Sequence, residues 1–222
     1  QADLQRAAQI YKFDLTTQMV GEFAELQGIM GEIYAKLFGE KADVAAAVRE
    51  HYMPISAEGA LPQTKIGAIL AIADKLDSIF SFFGAGMIPS GSNDPHALRR
   101  QAYGIVRIVA DRQWHLPLLA MQKTIAEQIQ QSDMQLKFDY LKNADQVNNF
   151  FIDRLKQFFA GENLRHDIVD AVTKTNQADL VNIIEAAPAI NDQKSDAEFK
   201  DDIDALTRVI RPAQKGRPTS SE

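Results

Sequence analysis

The sequence predicts an all-α protein, a helical bundle followed by a second, smaller helical subdomain. Apolar residues recur every three or four positions almost throughout, and period-two alternation is nearly absent. Gly- and Pro-rich stretches, "PISAEGALPQ" and "GAGMIPSGSND", punctuate the helical segments. With 222 residues, 45% hydrophobic and 24% charged, the chain is long enough to bury a sizeable core.

From Leu15 the apolar positions Met19, Phe23, Leu26, Met30, Ile33 and Leu37 describe one long buried helix face. Gly21, Gly28 and Gly31 interrupt it, marking either close contact with another helix, or a break or ligand approach. A helix from about Asp43 to Tyr52 stops near Pro54, and the next spans about Gln63 to Phe83. "DPHALRRQAYGIVRIVADRQ" opens a helix with Asp94 as N-cap and Pro95 at its first position. The chain turns near Trp114 to Pro117 and resumes as a helix from about Leu118 to Gln131. "VNNFFIDRLKQFF" carries Val147, Phe150, Phe151, Leu155, Phe158 and Phe159 on one broad apolar face. Shorter helices cover Asp167 to Lys174, Leu180 to Ala186 and Asp196 to Ile210. The expected division is residues 1–131, then 132–210, then a disordered tail at 211–222.

Net charge is −6, so any nucleic-acid role rests on a local patch. The absence of cysteine excludes disulfides, zinc–thiolate sites and thiol nucleophiles. The chain fits a reducing cytosol, no apolar run approaches the roughly 20 residues of a membrane span, and a cytoplasmic location is expected. The opening "QADLQRAAQIYKFDL" reads as mid-helix and suggests a piece of a longer protein. "GAGMIPSG" lacks the lysine ending of a phosphate-binding loop, and "GSND" is not a nucleophile elbow.

Within "AILAIADKLDSIF", Asp74 and Asp77 lie one turn apart among apolar neighbours. On a helical wheel Ile66, Ile69, Leu70, Ala73, Leu76 and Phe80 share an arc that contains Asp77 and is edged by Asp74. His51 falls on the same side of its helix as Val44 and Val48. "VREHYMP" with "LAIADKLDSI" resembles the last part of the HD superfamily of helical phosphohydrolases; the resemblance matches Asp74 to the late Asp that completes a metal site and His51 to a histidine often found before it. Residues 1–50 contain no histidine, and His166-Asp167 lies far downstream. By ligand count no metal is expected. His51, Asp74 and Asp77 are then remnants of a degenerate site, the acids held by Lys75, Lys65 or backbone donors and His51 packed in the core.

On "DPHALRRQAYGIVRI", Leu98, Ala102, Ile105 and Val109 face inward. Arg100, Tyr103 and Arg107 then lie on the opposite, exposed side with Arg99 on the flank: either a solvated face or a phosphate- and base-contacting one. Arg208, Arg211, Lys215 and Arg217 form a second basic cluster.

The strings "DLTTQMVGEFAELQGIMGEIYAKLFGE", "VREHYMP", "LAIADKLDSI" and "GMIPSGSNDPHALRRQAYGIVRI", in that order, resemble the bacterial glycyl-tRNA synthetase beta subunit over residues 10 to 113 or so. "NNFFIDRLKQFF" and "DALTRVIRPAQK" are similar to the helical stretch before that subunit's anticodon-binding domain. The resemblance implies an HD-like helical domain without the usual metal set, inside a class II synthetase of two alpha and two beta chains. Glycine activation with ATP and magnesium belongs to the alpha chain, and the piece itself is expected to hold no cofactor and no catalytic residue. Its partners would be the alpha subunit, glycine tRNA and other beta-subunit domains. Positioning of tRNA, along its acceptor arm, falls to Arg99, Arg100 and Arg107, with Lys65 and Lys75 secondary. Two other readings stay open: an active metal-dependent HD phosphohydrolase, and a purely structural assembly module without tRNA contact.

Overall fold

The computed structural model describes residues 1–131, 142–162, 164–174, 179–193 and 196–215, and among them no strand forms. Eleven α-helices are described: α1 (Ala2–Ile10), α2 (Gln18–Glu22), α3 (Ile29–Leu37), α4 (Ala42–Glu50), α5 (Lys65–Gly84), α6 (Leu98–Arg112), α7 (Leu118–Gln131), α8 (Ala144–Ala160), α9 (His166–Thr173), α10 (Leu180–Gln193) and α11 (Ala197–Lys215). The all-α prediction holds, and α7 starts and ends where the periodicity placed it.

Helix α4, "ADVAAAVRE", is alanine-rich because three helices lean on it. Its small side chains let α1, α3 and α5 approach, and Val44, Ala45, Ala47 and Val48 are buried between them. Helix α5 is the central rod, packed on α4 along one side and on α6 along the other. One apolar cluster then runs from α5 through α10, across the junction expected at 132–143. Val147, Phe151, Leu155 and Phe159 of α8 are its centre, each fully removed from water and each contributing roughly 1.5–3 kcal/mol of transfer free energy.

Several expectations are corrected. The stripe from Leu15 to Leu37 is not one buried helix face. It is cut into a 3-10 turn at Phe13–Thr16, α2, a second 3-10 turn at Ala24–Leu26, and α3. Leu15, Met19, Phe23, Ile33 and Leu37 end up exposed, Leu37 at 75%. The cause is Asp14, which is fully buried. Its Oδ2 accepts the Gly28 amide at 2.7 Å and its Oδ1 accepts the Tyr52 hydroxyl at 3.1 Å. Gly28 turns the chain there with φ +78°, and α3 presents Gly31 and Ala35 to α4 instead of its large apolar residues. A Cβ on Gly31 would stand 2.6 Å from the Val48 side chain, so this glycine marks a close helix contact, whereas Gly28 marks the break.

The wheel of α5 is right only in part. Leu70, Leu76 and Phe80 of its arc are buried, but Ile66 and Ile69 are half-buried and Ala73 and Asp77 are exposed. A helix buried on two flanks is apolar nearly all round, and a single-face reading cannot orient it. Finally, α6 begins at Leu98 rather than Pro95. Asp94, Pro95 and His96 form a turn, Ala97 adopts φ +53°, and the Asp94 carboxylate still caps the helix by accepting the Leu98 and Arg99 amides at 2.8 and 3.0 Å. At the far end α10 continues through Pro188 to Gln193, and α11 runs to Lys215, past the expected tail boundary at Arg211. Residues 216–222 of that tail lie outside the described ones.

Candidate functional site

His51, Asp74 and Lys75 are brought together where the C-terminus of α4 meets the middle of α5. The His51 ring is fully buried between two tyrosines, edge-on to Tyr11 at 4.8 Å and tilted against Tyr52 at 3.7 Å. Its Nδ1 lies 2.9 Å from the Val48 carbonyl, an acceptor, so Nδ1 carries the proton and Nε2 presents a lone pair with no partner among the described residues. Burial lowers its pKa to about 4, against the opposing pull of Asp74.

Asp74 is held by Lys12, which arrives from the end of α1, and neither Lys65 nor Lys75 pairs with it as the sequence suggested. Burial lowers the Lys12 pKa, but the bond to Asp74 and its charge outweigh it and leave the net pKa raised; Asp77, at the surface, is also raised, by partial desolvation first and the neighbouring Asp74 charge second. Among the described residues no three His, Cys, Asp or Glu side chains converge on a metal position. With Asp74 bound by an ammonium and no further ligands converging on Nε2 of His51, the described residues do not fit a divalent ion.

Lys75 is the unusual group. Only 4% exposed, it donates from Nζ to the His51 carbonyl at 2.9 Å. That carbonyl caps the end of α4, where the helix dipole favours a cation. Burial brings the Lys75 pKa down to about 8, Asp74 pulling it up and Lys12 and Arg100 pushing it further down. A recess of about 430 Å³ opens against it, walled by Tyr52, Asp74, Ser78, Arg100 and Gln101, with Glu25 and Gln27 at its side.

The remaining basic residues separate into two groups. Arg100 is exposed and Arg99 half-buried at the start of α6; Arg100 makes no ion pair among the described residues. Lys65 is exposed at the first turn of α5. Arg107, expected beside them, instead donates to the Ala57 and Gly59 carbonyls at 2.7 and 2.8 Å, and Arg112 does the same to Pro62 and Gln63 at 2.6 and 2.9 Å. Both clamp the connector between α4 and α5.

Sequence reasoning missed several residues. Arg154 of α8 stacks over Phe150 at 5.6 Å; burial first, and Arg99 nearby, lower its pKa against the pull of Asp153 and Asp94, so Arg99 and Arg154 bring α6 and α8 together at an edge that also carries carboxylates. Glu50, 2% exposed, accepts the Gln63 and Thr64 amides at 3.0 Å each and the Thr64 hydroxyl. Only Thr64, the N-cap of α5, carried a local signal of that arrangement. A second concavity, about 550 Å³, is apolar: Met19, Phe23, Tyr34 and Phe38 line it, Phe38 at 76% exposure. No helix among the described residues is long and apolar enough to cross a membrane.

The family model described as "Glycyl-tRNA synthetase beta subunit" matches residues 1–174. The chain is 69% identical over 221 residues to the glycine–tRNA ligase beta subunit of Limosilactobacillus reuteri (strain DSM 20016), covering 100% of this chain and 32% of that one. It is 69% identical over 215 residues to that of Limosilactobacillus fermentum (97% and 31%), and 56% over 213 to that of Pediococcus pentosaceus (96% and 31%). The chain thus spans about a third of the length of the curated relatives it matches.

Proposed function

The chain belongs to the glycyl-tRNA synthetase beta subunit family, and we propose that, within such a subunit, it binds tRNA and positions the acceptor arm for glycylation by an alpha subunit. The reading places it in the cytoplasm and leaves ATP, magnesium and bond-making to the alpha chain. What supports it is the arginine group where α6 meets α8: Arg99 and Arg100 side by side, Arg154 near Arg99, and no carboxylate paired with Arg100 among the described residues. Arginines free of local partners suit phosphate contacts, which fix the register of an RNA without reading its bases. Holding the acceptor end in place contributes to rate by orientation alone. Lys65 remains a surface contact in this reading, whereas Arg107 is spent on the connector.

In the full two-alpha, two-beta enzyme, Arg99→Ala with Arg100→Ala is expected to raise the KM for glycine tRNA by roughly tenfold or more. The slope of log affinity against log salt should fall by about two. Glycine-dependent ATP–pyrophosphate exchange, which needs no tRNA, monitors the alpha site. Unchanged tRNA kinetics remove the proposal. A second role is favoured by the apolar groove at Met19, Phe23 and Phe38, large apolar side chains that stay exposed side by side: docking of other beta-subunit domains or of the alpha chain.

A further inference from the structure

We propose that the recess between α5, α6 and the 24–27 turn binds one ribonucleotide unit, its phosphate received by Lys75 and Arg100. Lys75 is a buried ammonium with three donors, one of which goes to the His51 carbonyl. No carboxylate among the described residues lies within ion-pair range of its Nζ. Two cations, Lys75 and Arg100, wall the same cavity, and the neighbouring Lys12 is occupied by Asp74. Burying a cation without a counter-charge is costly. An anion entering the recess supplies that charge and gains charge-assisted hydrogen bonds at low local dielectric. Ser78, one helical turn beyond Lys75 on the same face, adds a hydroxyl donor.

The walls ask for more than a bare phosphate. Asp74 and Glu25 are acceptors, and Gln27 and Gln101 can accept or donate, so a ligand must bring hydroxyls as well as negative charge. The ribose of a nucleotide brings them. At about 430 Å³ the recess falls in the range of small-ligand sites and far exceeds one phosphate, and Tyr52 offers an aromatic wall. The charged groups facing Lys75 are Asp74, Lys12 and Arg100, and the lysine pKa near 8 fits a site whose charge balance an anion restores. The unit comes either from a strand of bound RNA, which rests on the tRNA reading above, or from a free nucleoside monophosphate.

The test is equilibrium dialysis of labelled adenosine 5′-monophosphate against the full two-alpha, two-beta enzyme, comparing wild type with Arg100→Gln and Lys75→Met in the beta chain. One site per beta subunit is expected to disappear, or to weaken at least tenfold, in both variants, with adenosine failing to compete for it. Arg100 is exposed, so its variant keeps the fold even if the buried Lys75→Met does not. Competition by a glycine tRNA transcript assigns the unit to bound RNA; a site that the transcript leaves untouched assigns it to free nucleotide. Unchanged stoichiometry and affinity in Arg100→Gln overturn the pocket. If the same variant nonetheless raises the KM for tRNA, the surface reading stands without the pocket.

Discussion

In the cluster from α5 to α10 the largest fully buried side chains are Phe80, Phe83, Phe151 and Phe159, with Leu76, Ile79, Leu98, Ile105 and Ile108 between them. Around α4 the buried groups include Asp14, Glu50, His51 and Lys75, and the apolar residues beside them are mostly alanine and valine. The first region is held by area removed from water, a term without direction. The second is held by bonds that specify partners: Asp14 to Gly28 and Tyr52, Glu50 to Gln63 and Thr64, Lys75 to the end of α4. Directional burial is costly when incomplete, and it shapes a recess where close-packed phenylalanine would fill one.

Truncating each region separates the two terms. Phe151→Ala should cost about 3–5 kcal/mol in urea unfolding, the transfer and cavity terms of a fully buried ring. Glu50→Ala should cost about 2–3 kcal/mol, because it removes one small area yet strips acceptors from the Gln63 amide, the Thr64 amide and the Thr64 hydroxyl. If Glu50→Ala is neutral, the α4 region is held by packing after all and the contrast fails. Gly31→Ala follows at about 1–3 kcal/mol, since its methyl would overlap the Val48 side chain at 2.6 Å and press on Asp14 at 3.0 Å.

His51 gives the α4 region a pH signature that the phenylalanine core lacks. The folded ring stays neutral down to about pH 4, whereas the unfolded one protonates near 6.5. Between those values the unfolded state binds more protons, so stability rises with pH, by up to about 1.4 kcal/mol per pH unit. His51→Asn, which retains a side-chain donor toward the Val48 carbonyl, should lower stability at neutral pH but flatten the profile across that window. A slope unchanged by the substitution would assign the acid sensitivity to other groups.

The same contrast explains what could be read from the chain. Helices α7 and α8 and the inward faces of α6 and α8 follow from period alone, because Leu98, Ala102, Ile105, Val109, Phe151 and Phe159 bury simply by being apolar. The segment 13–37 does not, because Asp14 lies fourteen residues from the Gly28 amide it accepts and thirty-eight from Tyr52. Its apolar stripe is real, but it faces out. At the candidate site Asp74, His51, Lys75 and Arg100 were all visible as residue types; their grouping was partly legible, and their partners were not. Lys12, which binds Asp74, and the Ala57 and Gly59 carbonyls, which take Arg107, lie 62 and roughly fifty residues away in the chain, beyond any local pattern.

Gly21→Ala is the smallest effect and the sharpest control for the other two glycines of that segment. Gly21 sits inside α2, and nothing approaches within 4 Å of where its Cβ would be. Alanine there should stabilise the protein by about 0.5–1 kcal/mol through the helix alone. Gly28→Ala should do the reverse, because φ +78° strains any side chain and the Tyr52 ring stands 2.8 Å away. Three glycines within eleven residues of one another then give opposite signs, which intrinsic propensity cannot produce. If all three substitutions shift the urea midpoint the same way, the segment is a plain helix and the buried Asp14 does not organise it.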